Sequence, residues 1–226
     1  MASVREIDLG FWMPIYFKIA ERLKLDVEAD RRATRVMDSL MIGKKDLSEE
    51  LEDLIRGENV LVVGNGPSLS RGFDFDGIVI TADAASLKYL KLFGREPDVI
   101  VSDLDGPPEI LSMSSIKVLH AHGDNVERLI KFVPSIQELV ATTQVEPTER
   151  VHNFGGFTDG DRSVFLACMC GAKSIRLAGM DFEAVSEYDI AAGKDIRRKM
   201  EKLRIARELL NLSIEIGCPL EVGGWS

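Results

Sequence analysis

The chain has 226 residues, 45% of them hydrophobic and 29% charged, with 37 Asp and Glu against 28 Lys and Arg for a net charge of −9. That mixture suits one sizeable globular domain, or one with a small appendage, and excludes disorder and coiled coil. A net-acidic chain lacks the clustered cations of a general nucleic-acid binder, although local cations or a metal could still hold a phosphorylated small molecule.

Residues 1–56 read as helical. Ile15, Ile19, Leu23 and Leu25 recur at roughly helical spacing. A second segment, 28–42, sets Ala33, Val36, Met37, Leu40 and Met41 on one side before Gly43, and 47–55 reads as a third, short helix. This part carries mixed charge and no chemical motif, so it is expected to be a helical cap or a homodimerisation element. The opening stretch contains Arg5, Glu6 and Asp8 and lacks the apolar run of a signal peptide or membrane span. A cytoplasmic protein without membrane contact is the expectation.

The texture changes at Asn59. VLVVG (60–64), GIVITAD (77–83), DVIVSD (98–103), IKVLHAH (116–122), ELVAT (138–142) and SIRLAG (174–179) are short apolar, β-branched runs. Such runs suit strands buried on both faces. Helix-like stretches at 84–93, 125–132, 161–170 and 194–216 alternate with them. The pattern predicts an α/β, Rossmann-like, mostly parallel sheet flanked by helices over residues 57–226, behind the helical segment 1–56. Cys168, Cys170 and Cys218 are too few and too odd in number for a disulfide framework. Cys168 and Cys170, two apart on a helix, point apart and read as core residues.

Ligands of an open parallel sheet bind beyond the carboxyl ends of its strands. There this chain is rich in Gly, Asp, Asn and His. After the first run comes Gly64-Asn65-Gly66-Pro67-Ser68-Leu69-Ser70, where glycines permit close backbone approach and exposed N–H groups could hold a phosphate. It is not a P-loop, and Leu69 stands where the dinucleotide fingerprint has its third glycine; a plain tight turn is the competing reading. Asp83 follows the second run as a helix cap or a ligand contact. After the third run, Asp103 and Asp105 can share one side of an extended chain. With no neighbouring cation in the segment, they would suit a divalent ion such as Mg²⁺, unless they merely form the turn before Gly106.

His120 and His122 alternate, yet only His152 is left as a further histidine, so zinc is disfavoured. Asp124 and Asn125 then supply oxygen ligands, hydrogen bonds or a helix cap. In 153–163, NFGGFTDGDRS, one of Asp159 and Asp161 is expected to cap the next helix, while Phe157 suits a flat ring and Arg162 an anionic oxygen. Residues 194–208 hold seven basic and three acidic side chains, mostly a solvated helix face, from which Lys199 or Lys202 could reach a polyphosphate. Asp181 is a further strand-end acid, expected behind the first layer of contacts. No nucleophile–base pair stands out. The inventory suits phosphoryl-type transfer, in which the protein positions groups and neutralises charge.

GNGPSL (64–69), SDLDG (102–106), HAHGDN (120–125), NFGGFTDGDRS (153–163) and AGMDF (178–182), in this order, resemble the archaeal 6-hydroxymethyl-7,8-dihydropterin pyrophosphokinases. That family is similar in fold to thiamin pyrophosphokinases. HAHGDN with FTDGDR is the specific combination, since GNGPSL alone is shared with glycosyltransferase-like proteins linked to flagellin modification. The resemblance implies transfer of the diphosphate of ATP to the hydroxymethyl group of a reduced pterin, releasing AMP, in tetrahydromethanopterin or folate-type synthesis. It implies that Asp103 and Asp105 hold Mg²⁺ and that Gly64, Asn65, Gly66 and Ser68 cradle the nucleotide. Asp83, Thr158, Asp159 and Asp161 would complete the nucleotide and metal shell, Asp124 would act as base, and Arg162 would offset charge. An unspecified Asp or Asn would read the guanidine-like edge of the pterin. A thiamin-type pyrophosphokinase, a metal-dependent nucleotide-sugar transferase and a non-catalytic nucleotide-binding module are the alternatives.

Overall fold

A computed structural model describes residues 4–70, 75–183, 193 and 195–221. Helix α1 (Leu9–Leu23) starts where the Asp8 carboxylate accepts the Phe11 N–H, and stops at Lys24 in the left-handed conformation. Asp26 caps α2 (Val27–Leu40) in the same way. Strand β1 (Lys45–Asp46) leads directly into α3 (Ser48–Ile55). Then come β2 (Asn59–Val63), β3 (Ile78–Ala82), α4 (Ala85–Phe93), β4 (Val99–Ser102) and β5 (Ile116–Ala121). Helix α5 (Val126–Phe132), β6 (Glu138–Thr143), α6 (Asp159–Met169), β7 (Ser174–Ala178) and α7 (Ile196–Glu215) complete the order.

The seven strands form one parallel sheet in the order β1-β6-β5-β4-β3-β2-β7. All six expected strands are present, and so are the expected helices, within a few residues at their ends. Lys194, where the last helix was expected to start, lies outside the described residues. Successive strand residues face opposite sides, and here both sides are apolar. Val60 and Val62 pack with Trp12, Leu51, Phe165 and Leu209, which places α1, α3, α6 and α7 on one face. Leu61 and Val63 face α4, while Leu119 and Ala121 face α2 and α5 on the other side. Residues on both sides of position 57 share the first of these cores.

The outer strand β1 has only two residues, pairs with β6, and was not foreseen. Nor was the bond between Cys168, near the end of α6, and Cys218, which ties the chain after α7 to that helix; Cys170 is buried and free. Counting cysteines could not reveal a pair separated by 50 residues. Among the described residues no helix is long and apolar enough to cross a membrane.

From β2 the chain steps outward through β3, β4, β5 and β6, then returns to place β7 on the other side of β2. The order therefore reverses at β2, and in such sheets the crevice beyond the carboxyl ends at that point is the place for a ligand.

Candidate active site

A cleft of about 780 Å³ opens along this rim. At one end, Gly64 and Gly66 after β2 lie against Gly179–Asp181 after β7. Gly66 donates its N–H to Gly179 O, and a Cβ at Gly66 would lie 1.9 Å from an Asp181 carboxylate oxygen, so this turn cannot carry a side chain. At the other end, α2 closes the cleft with Asp30, whose Oδ1 accepts the Gly123 N–H at 2.6 Å. Asp30 Oδ2 accepts from Tyr16 Oη and from Gln144 Nε2, which joins α1, α2 and the end of β6 around one carboxylate. The N-terminal turns of α7 form one wall, bearing Arg198, Lys199 and Lys202.

Between these ends the rim is acidic. Asp83, Asp103, Asp105 and Asp159 come from the ends of β3 and β4 and the start of α6, and all four line the cleft. Asp83 is buried at φ +47°, and Leu104, between the two β4 acids, has φ +66°. Such conformations are unfavourable for residues with a Cβ and cluster where geometry serves function. Burial, together with the charges of Asp103 and Asp105, raises the Asp83 carboxyl to about 6, against the lowering effect of the 2.6 Å Ser102 Oγ hydrogen bond. Burial and the charges of Asp103 and Asp83 push Asp159 well above the usual range. Asp103 moves the other way. Burial would raise it, but the hydrogen bond and charge of His122, the Asp105 N–H and the Lys202 charge together hold it well below the usual range. Crowded carboxylates pushed apart in acidity are what a divalent cation, or a proton-transfer role, would resolve.

Two basic groups lie at the inner end. Arg162 is buried, donates from Nη2 to Phe157 O at 2.8 Å, and leaves Nε and Nη1 unpaired among the described residues. His120 is buried on β5, with Nδ1 3.1 Å from Thr142 Oγ1 and Nε2 unpaired among the described residues. Burial, then the Arg162 charge, hold its pKa well below the ordinary value, so the imidazole is neutral.

Of the residues singled out in the sequence, Gly64, Asn65, Gly66, Asp83, Asp103, Asp105, Asp124, Thr158, Asp159 and Arg162 line this one cleft. Ser68 does not; its N–H and Oγ both donate to Asp181 Oδ2. Asp161 does not either. It forms a capping box with Thr158, accepting from the N–H groups of Phe157 and Thr158 and from Thr158 Oγ1. The spacing Thr158-x-x-Asp161 carried that signal. Asp30 and Gln144 belong to the cleft although no local motif marks them, and His120, the first residue of HAHGDN, belongs to it although only zinc was weighed for it. Among the described residues no three His, Cys, Asp or Glu side chains are arranged to hold a metal ion by themselves. Leu104, at φ +66°, breaks the extended chain expected between Asp103 and Asp105, so they do not share a side in that way; both still line the cleft, and their donor chemistry suits Mg²⁺, which takes one or two protein carboxylates and fills its remaining positions with water and phosphate oxygens.

Comparison with known proteins points to one chemistry. The family described as 6-hydroxymethylpterin diphosphokinase MptE-like matches residues 36–187. The chain is 40% identical over 213 residues to the 6-hydroxymethyl-7,8-dihydropterin pyrophosphokinase of Pyrococcus furiosus, covering 88% of this chain and 91% of the relative. It is 35% identical over 232 residues to the protein of that name from Methanocaldococcus jannaschii, covering 91% and 95%. For the Methanothermobacter thermautotrophicus protein of the same name the identity is 37% over 193 residues, covering 80% and 82%.

Proposed function

Because this chain belongs to the MptE-like 6-hydroxymethylpterin diphosphokinases, which makes it a diphosphotransferase, we propose that it moves the terminal diphosphate of ATP to the hydroxymethyl oxygen of 6-hydroxymethyl-7,8-dihydropterin and releases AMP. One observation carries this reading: four carboxylates and a buried, partly unpaired guanidinium converge in a cleft at the point where the strand order reverses.

The substrate hydroxyl forms a bond to the β-phosphorus as the bond from that phosphorus to the oxygen bridging it to the α-phosphorus breaks in line. AMP keeps the bridging oxygen, and the hydroxyl proton passes to a carboxylate, for which Asp124 on the cleft rim is the candidate base. The Gly64–Asn65–Gly66 turn lines the same cleft, its Gly64 and Gly66 N–H groups held by Ala178 O and Gly179 O so that the chain can pass close to a ligand, and Lys199 and Lys202 on α7 bring positive charge to it. Asp103 and Asp105 would hold Mg²⁺, with Asp83 and Asp159 beside them; the ion's contribution is neutralisation of charge on the phosphate oxygens. Arg162, buried behind Asp159, balances the carboxylates without leaving the site. Asp161 and Ser68 are supports, holding Thr158 and Asp181 respectively. We place this work in the cytoplasm, with its ATP supply.

The test is to incubate the protein with ATP, Mg²⁺ and 6-hydroxymethyl-7,8-dihydropterin and identify products by mass spectrometry. AMP with a diphosphorylated pterin is expected, while ADP, or no product despite nucleotide binding, refutes the reading. Asp103→Ala and Asp105→Ala should each lower turnover at least 100-fold with unchanged circular dichroism; full activity in both overturns the metal assignment.

A further inference from the structure

The cleft contains buried polar atoms that the reaction as described does not use: Nε and Nη1 of Arg162 and Nε2 of His120. Buried groups without partners are rare in folded proteins and call for an explanation, such as a ligand that completes them. Three other buried Asp and Asn side chains are already engaged. Asp30 accepts from Gly123, Tyr16 and Gln144. Asn125 donates to Asp103 O and His120 O and accepts from the His122 N–H. Asn153 donates to Val145 O and accepts from the Gly155 N–H. The Asp or Asn expected to read the pterin is therefore not among these three.

We propose that the inner end of the cleft is the seat of the pterin ring, with Arg162 donating to the O4/N5 edge and His120 Nε2 accepting the N3–H. This assignment rests on the pyrophosphokinase reading above. In a dihydropterin, O4 and N5 are adjacent acceptors, the same pattern as O6 and N7 of guanine, a common arginine target; because Nε and Nη1 lie on opposite edges of the guanidinium, it is Nη1, with the second proton of Nη2, that faces this pair. N3–H, next to O4, is a donor and needs an acceptor. In the tautomer this assignment uses, Nδ1–H donates to Thr142 Oγ1, whose own proton goes to Leu119 O at 3.4 Å, and Nε2 is left as a bare acceptor.

Position separates this ring from the adenine of ATP, which could also present a donor and an acceptor. The reacting CH₂OH is bonded to C6, directly beside N5, whereas a ribose and the α-phosphate lie between adenine and the β-phosphorus. The His120 ring centroid is 6.0 Å from that of His122, and His122 Nε2 is 3.3 Å from Asp103 Oδ2. Arg162 stands one helical turn after Asp159. A ring held by His120 and Arg162 thus brings its hydroxymethyl group to the acids, and adenine held there would strand its phosphates beyond them.

The test measures equilibrium binding of 6-hydroxymethyl-7,8-dihydropterin, of its 3-methyl analogue, which lacks N3–H, and of α,β-methylene ATP with Mg²⁺. The full-length protein should bind the parent pterin at least tenfold tighter than the analogue. His120→Leu should erase that preference while keeping nucleotide affinity within twofold, and Arg162→Lys should weaken both pterins at least tenfold. Equal wild-type affinity for parent and analogue overturns the proposal even if neither variant folds. So does a His120→Leu protein that loses nucleotide affinity and keeps its pterin preference, which would assign the pocket to adenine. Turnover separates the two levels: a wild type that makes no diphosphorylated pterin defeats the function, whereas normal turnover with no effect of N3 methylation defeats only this assignment.

Discussion

His152 allows a stability experiment whose sign is fixed by geometry. Its Nδ1 lies 2.9 Å from Glu6 Oε1 and its Nε2 lies 2.7 Å from Asp46 Oδ2, with the ring only 13% exposed. Two carboxylate acceptors require two N–H donors, which only the imidazolium has. Burial by itself would discharge the ring, but the hydrogen bonds to Asp46 and Glu6 prevail and raise it from 6.5 to about 9. That rise corresponds to about 3 kcal/mol of folding stability. Because the folded value is the higher one, the contribution is complete below pH 6.5, declines above it, and is lost as pH passes 9. The residue is paired with β6 through a parallel bridge at Thr142 and joins the N-terminal segment to β1, so the whole edge of the sheet shares in it. Urea unfolding of the wild type and of His152→Gln, followed by circular dichroism from pH 6 to pH 9.5, isolates this group from all others. The variant should be less stable by about 3 kcal/mol at pH 6, with the gap closing towards zero by pH 9.5. A gap that is constant or widens with pH refutes the reasoning.

Asp83, raised to about 6, carries a penalty of about 3 kcal/mol when ionised, present above pH 6 and relieved as pH falls towards 3.8. Asp83→Asn keeps an acceptor for Ser102, so at pH 8 it should raise the melting temperature of the ligand-free protein by roughly 6–12 °C while lowering turnover at least tenfold. A lowered melting temperature would contradict the burial and like-charge account. The Cys168–Cys218 bond closes a loop of 50 residues, for which chain entropy gives about 4 kcal/mol. Cys168→Ser with Cys218→Ser should lower the unfolding free energy by about that amount without altering turnover, since Cys168 lies towards the far end of α6 from Asp159. Identical urea curves for the bonded and substituted proteins would exclude it.

The sheet was legible because strands buried on both faces write continuous apolar runs, and the cleft was legible because its residues follow those runs immediately. What escaped the sequence has a common physical character. Strand β1 is Lys45-Asp46, polar and too short for a period, and exists only because β6 offers an open edge. Asp30 looks like any charge on an amphipathic helix, yet its partners Gly123 and Gln144 lie 93 and 114 residues away. Asp159 and Asp161 stand two apart at one helix start, and the sequence analysis left open which one caps it. The local clue, a threonine three residues before an acid, favoured Asp161, and three donors do converge on its carboxylate.

The contrast between those two aspartates explains how the site is kept charged. Asp161 is buried and satisfied by the backbone at the start of α6, so that helix start is already capped when Asp159 is turned towards Asp83 and Asp103. A satisfied acid thus fixes the helix that presents an unsatisfied one. The same division recurs along the rim: Ser102 holds Asp83, His122 holds Asp103, and Tyr16 with Gln144 hold Asp30. Positive φ at Asp83 and Leu104, crowded acids and unpaired N–H groups on Arg162 each oppose folding. They persist together because the sheet beneath them is buried on both faces and does not depend on the rim for its stability. On this view Asp83 and Asp159 can be exchanged for neutral isosteres with a gain in stability and a loss of chemistry, whereas exchanging Asp103 forfeits both and exchanging Asp161 removes the acceptor on which three donors converge at the start of α6.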